Sequence, residues 1–176
     1  MKINVASILR DHWATLYAAQ SNRTNYLDLI VFYILPISAG IGAYKLGFNV
    51  KPEGYNVSIT FFGIFLALLL NIQVAIFSIF QRKREQPLDK RQADAQKAEL
   101  IDRRTLLHEL NSNISYLTIV SCFALIAFLI FYVAEMKDGI GPAVAVVLYS
   151  HFILTFVMIV ERSHALFQKE YRDSPY

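Results

Sequence analysis

Four apolar runs, at 27–46, 58–80, 114–134 and 139–160, constrain this chain more than any other feature. A helix needs roughly 20 apolar residues to cross about 30 Å of hydrocarbon. Each run has that length and no Lys, Arg, Asp or Glu inside it, with Asp28 and Lys45 only at edges. Lipid offers no partner to a bare peptide group, so such runs must be helical. The expected fold is an all-α membrane protein, a bundle of four transmembrane helices in two hairpins. Of the 176 residues 55% are hydrophobic, against about 45–50% in soluble domains. The polar stretches left over are too short for an independent domain of about 100 residues.

Lys and Arg in short loops mark the cytoplasmic side. Of the 17 basic residues, Lys45, Lys51 and Lys137 lie beside the two short connections, and the other fourteen lie with the two termini and the long loop. This predicts a multi-pass inner-membrane protein with both termini inside. Its segments are a cytoplasmic amphipathic helix at 1–26, a transmembrane hairpin at 27–80, a charged helical loop at 81–113, a second hairpin at 114–160 and a cytoplasmic tail at 161–176. Arg10, Asp11 and His12 interrupt any signal-peptide core near the start.

Val5, Leu9, Trp13 and Leu16 recur at helical spacing in that first segment. Two placements fit: a helix lying in the membrane interface with Trp13 as its anchor, or a helix packed on the chain's own cytoplasmic part. In the long loop, Arg82, Lys83 and Arg84 precede Pro87 and a helix-favouring stretch. Ala93, Leu100 and Leu107 recur there every seven residues with Leu110 adjoining, a stripe on which a soluble cytoplasmic protein could dock.

Counting about 1.5 Å per residue from the outer ends, Asn71 and His151 fall at similar depth. Ser121 and Cys122 of the third run reach nearly the same level, flanked by Gln73 and Ser150. Polar side chains at mid-bilayer need partners. They serve either as glue between helices or as the lining or gate of a polar path, in which case His151 would titrate near neutral pH. A 20.1 kDa bundle of four helices is too small to enclose a wide lumen, so a pore requires a homo-oligomer. Ser38, Ala39, Gly42 and Ala43 offer two small-xxx-small pairs for close helix contact, between copies or within one. Pro36 just before them removes a backbone donor.

Arg103 and His108 have the Arg-x4-His spacing of HEPN ribonucleases, but a solvated helix face explains it better. Six acidic residues from Glu85 to Glu109 offset the basic loop, so direct binding of nucleic acid is not expected. The single cysteine, Cys122, permits no internal disulfide. No phosphate loop, nucleophile elbow, zinc spacing or carboxylate pair is present. The chain is expected to act without catalysis, metal or cofactor.

The order of LRDHWATL at 9–16, LDLIVFYILP at 27–36, LLLNIQVAIFSIFQ at 68–81 and RTLLHELNSNISY at 104–116 resembles small four-span bacterial membrane proteins of anti-phage defence loci. In plan it is similar to the membrane accessory proteins of Kiwa and type VI CRISPR systems. The resemblance implies either a membrane-disrupting effector switched on from the cytoplasm or a non-conducting sensor or scaffold that recruits a soluble defence partner. In both, membrane lipid is the primary partner.

Overall fold

The computed structural model describes residues 5–16, 29–81 and 90–172. Helix α1 spans Val5–Leu16. A π-helical turn at Ile30–Ile34 leads into α2, Leu35–Lys45. Helices α3 (Pro52–Gln81), α4 (Lys90–Val133) and α5 (Ile140–Arg172) follow. Among the described residues there is no strand.

Three stretches are long and apolar enough to cross a membrane: Pro52–Ile79, Arg103–Val133 and Ile140–Gln168. A fourth apolar helical stretch, Ile30–Lys45, is shorter. Helix α4 continues unbroken for 44 residues, about 66 Å at 1.5 Å per residue. The charged loop helix and the third apolar run are therefore one rod.

The helices neighbour one another in the order α2, α5, α4, α3, and α1 lies on α4. The first hairpin expected from sequence does not close on itself, because α2 packs on α5. Gly40 explains this. A Cβ there would overlap the Val147 side chain and stand 3.0 Å from the Ala143 carbonyl oxygen of α5, so glycine lets the two backbones approach. On the other side, α3 and α5 are bridged by interleaved rings. Phe62 meets Phe152 at 5.0 Å and Phe128 at 5.4 Å, while Phe65 reaches Phe152 and Phe156. Tyr55, Phe62, Phe128 and Phe152 are fully buried and fill the interior of one copy.

At the end joining α2 to α3 and α4 to α5, the turns brace each other. The Val50 amide donates to the Lys137 carbonyl at 2.9 Å, and the Tyr55 hydroxyl donates to the Met136 carbonyl at 2.7 Å. Gly139 sits at φ +72° in the second turn, a left-handed conformation that glycine adopts without strain.

The outer surface is inverted relative to a soluble bundle. Ile64, Leu68, Val74 and Phe77 of α3, Phe123, Ile126, Leu129 and Val133 of α4, and Ile153, Val157 and Val160 of α5 are all exposed. Soluble monomers rarely leave apolar patches beyond a few hundred Å² uncovered. This band, with the three long apolar helices, identifies a membrane protein.

Candidate functional site

The densest polar cluster among the described residues is where α1, the π-helical turn, α4 and α5 meet. It begins with Pro36. A proline has no N–H to give the carbonyl four residues back, which here is Phe32. The ladder shifts to π spacing just before it, with the Leu35 amide donating to the Ile30 carbonyl. His151 Nδ1 lies 2.8 Å from the Phe32 carbonyl oxygen. Since a carbonyl only accepts, Nδ1 carries the proton and Nε2 of the neutral ring is an acceptor. The Tyr116 hydroxyl donates to that Nε2 at 2.7 Å. One histidine of α5 thus ties a proline-orphaned carbonyl of the first apolar segment to a tyrosine of α4.

Helix α1 docks on the ring of Tyr116. The His12 ring stacks on the Tyr116 ring at 3.7 Å with 3° between planes. Its Nδ1–H donates to Asn113 Oδ1 at 2.8 Å, and the Thr15 hydroxyl is 2.8 Å from the same oxygen. Arg162 of α5 closes the cluster, donating to the Thr15 carbonyl at 2.7 Å and pairing with Glu109 at 3.3 Å. Trp13 packs on Tyr33 at 5.3 Å, and Tyr33 lies 5.4 Å from His151. His12 and Asn113 are essentially inaccessible. Burial pushes the His12 imidazole down from 6.5 to about 4; the Asn113 bond opposes this, and the nearby His151 and Arg162 add to it. His12 is therefore neutral at physiological pH.

The cluster is incompletely satisfied. His12 Nε2 and Asn113 Nδ2 are buried with no hydrogen-bond partner among the described residues. Each such group costs about 1–3 kcal/mol. Helix α1 is thus held by specific bonds over polar atoms whose capacity is not used up. Its Val5 and Leu9 side chains stay exposed, and Trp13 is partly exposed beside Tyr33. Of the two placements foreseen for α1, packing on the chain itself is the one observed, with one face of α1 against α4.

The polar residues expected at one depth go to separate places. His151 joins the cluster above, and Gln73 donates to Ser115 of α4 at 2.7 Å. Ser121 is fully buried, its hydroxyl donating to the Leu117 carbonyl of its own helix. Ser150 lines a cleft of about 320 Å³ with Tyr55, Ser58 and Tyr149. Asn71 and Cys122 face outward. Among the described residues, no two of these six are hydrogen-bonded to each other.

In the first apolar segment, Ser38 is exposed and donates to the Leu35 carbonyl, and a Cβ on Gly42 would meet open space. Ala39 and Ala43 are half-buried. Of the residues in the docking stripe, Leu107 and Leu110 are only 3% exposed and belong to the core, so this chain itself covers them; Leu100 is half-buried. Arg103 is buried and His108 exposed. Five residues on a helix place them about 140° apart, so one copy does not assemble them as a pair. Ala93 falls where side chains are not described.

His12, Asn113, Tyr116 and the Phe32 carbonyl escape a reading by depth or spacing, because His12 and Asn113 are 101 residues apart. One signal was available. Pro36 orphans the Phe32 carbonyl, and His151 is the only histidine inside any of the four apolar runs. No protein family, curated protein or solved structure matches the chain.

Proposed function

We propose that the chain is a four-span inner-membrane protein with both termini in the cytoplasm. It assembles as a homo-oligomer and perturbs or permeabilises the membrane when a soluble cytoplasmic trigger releases α1. The observation that carries this reading is the His12–Asn113–Tyr116–His151–Phe32 chain of contacts. Through it, one short amphipathic helix at the basic end of the protein is coupled to three membrane-embedded elements. Unused polar capacity at the dock makes release inexpensive, and the exposed Val5, Leu9 and Trp13 stripe suits a helix that can lie in the lipid interface. The resemblance to defence-locus proteins supplies the context, an anti-phage response executed without catalysis.

A second reading is a non-conducting sensor or scaffold that recruits a soluble defence partner. It is favoured by the fully buried rings of Tyr55, Phe62, Phe128 and Phe152, which fill the interior between the described helices. A potential-sensitive dye in cells expressing the wild type, Asn113→Ala or His12→Ala separates the two. The effector reading expects depolarisation in the variants without any trigger. The sensor reading expects an unchanged potential together with loss of a co-purifying cytoplasmic protein.

A further inference from the structure

Asn71 carries the inference that goes furthest. It lies on the outward face of α3 among exposed Leu68, Leu70, Ile72 and Val74, and no hydrogen bond is formed by its side chain among the described residues. It is eight residues from the end of the apolar stretch Pro52–Ile79, about 12 Å at 1.5 Å per residue. An asparagine side chain is too short to reach water across that distance. Its amide holds two N–H donors and an acceptor carbonyl, and acyl chains can partner none of them.

We infer that this face of α3 binds the same face of a second copy, with the two Asn71 amides hydrogen-bonded across a two-fold axis. A primary amide is complementary to itself, each N–H meeting the other's carbonyl, so the partner with matching chemistry at the matching depth is another copy of the chain. Ala67 and Ala75, one turn to either side and also exposed, carry no bulk beyond Cβ to hold the two backbones apart. The inference rests on the homo-oligomer reading and places its contact on α3, whereas the small residues of the first apolar segment offer the rival surface at Ser38 and Gly42.

The test is thiol cross-linking of the full chain, purified and reconstituted in phosphatidylglycerol–phosphatidylethanolamine vesicles, with Cys122→Ala as background because Cys122 is exposed. Single cysteines at Ala67→Cys and Ala75→Cys should give, with an added thiol oxidant, a product of twice the 20.1 kDa chain. Equally exposed Ile126→Cys and Ile153→Cys should not. Asn71→Leu removes both bonds across the axis and should lower the dimer association constant roughly eight- to three-hundredfold, the span for two interhelical hydrogen bonds in membranes, and Asn71→Gln should restore most of it. Cross-linking confined to Ser38→Cys and Gly42→Cys would leave a homo-oligomer but overturn the α3 contact. So would an unchanged dimer in Asn71→Leu, or an adduct of another mass formed only in native membranes. A monomer at every position would overturn the homo-oligomer reading as well.

Discussion

The bond from His151 to the Phe32 carbonyl is read as compensation for Pro36, and a double-mutant cycle can measure that compensation. His151→Phe keeps a ring of similar size but removes the donor 2.8 Å from the Phe32 carbonyl and the acceptor 2.7 Å from the Tyr116 hydroxyl. Stranding a buried polar group costs about 1–3 kcal/mol in soluble cores, and interhelical hydrogen bonds in membranes average about 0.6 kcal/mol with a maximum near 1.7. The two lost bonds together should destabilise the bundle by about 2 kcal/mol. Pro36→Ala returns an N–H at the position that serves the Phe32 carbonyl within the helix. In that background His151→Phe strands only the Tyr116 hydroxyl, and its cost should fall to about 1 kcal/mol. The resulting coupling is about 1 kcal/mol, within the range for residues sharing a partner. Unfolding in mixed micelles by added SDS reads all four proteins, and the single tryptophan, Trp13, packed on Tyr33, supplies the fluorescence signal. If His151→Phe costs the same, within 0.3 kcal/mol or so, with and without Pro36, the histidine does not serve the orphaned carbonyl.

Gly40→Ala should part α2 from α5, because the new methyl overlaps the Val147 side chain. A loss of about 1–3 kcal/mol is expected for such overpacking, whereas Gly42→Ala, facing open space, should be nearly neutral in the same thermal melt. The docking of α1 should depend on pH. With the His12 pKa lowered from 6.5 to about 4, the docked state binds fewer protons than the released one. Docking is therefore fully stable above pH 6.5 and weakens as pH falls toward 4, by about 3 kcal/mol in all at about 1.4 kcal/mol per pKa unit. Hydrogen exchange of Val5–Leu16 between pH 7 and 4.5, corrected for the intrinsic rate, should show protection falling, and His12→Asn should flatten the trend. Asn113→Ala removes the acceptor shared by His12 and Thr15 and should weaken docking at neutral pH by about 1–3 kcal/mol, read by the same exchange measurement.

The existence of long apolar helices was legible because a uniform run of apolar residues reports its own solvent. Which helix packs on which was not. Hydropathy treats every outward and inward face alike, and the pairing of α2 with α5 depends on one missing Cβ at Gly40. Depth counting likewise places a residue along a helix but not around it. That is why Asn71 and His151, similar in depth from sequence, face outward and inward respectively. The stripe of Leu107 and Leu110 was correctly periodic, yet periodicity identifies a sticky face without saying what sticks to it. Here the bundle's own core does. His12 reads as one polar residue in the run Arg10, Asp11, His12, and only the stack on Tyr116 separates it from its solvated neighbours.

The central claim is that a docked α1 keeps the bundle silent. The direct measurement is ion leak from vesicles holding a potassium gradient and the purified protein, with α1 hydrogen exchange followed on the same sample. Wild type should be tight with Val5–Leu16 protected, and Asn113→Ala should leak with those amides exchanging freely. Free exchange of α1 in vesicles that stay tight would contradict it.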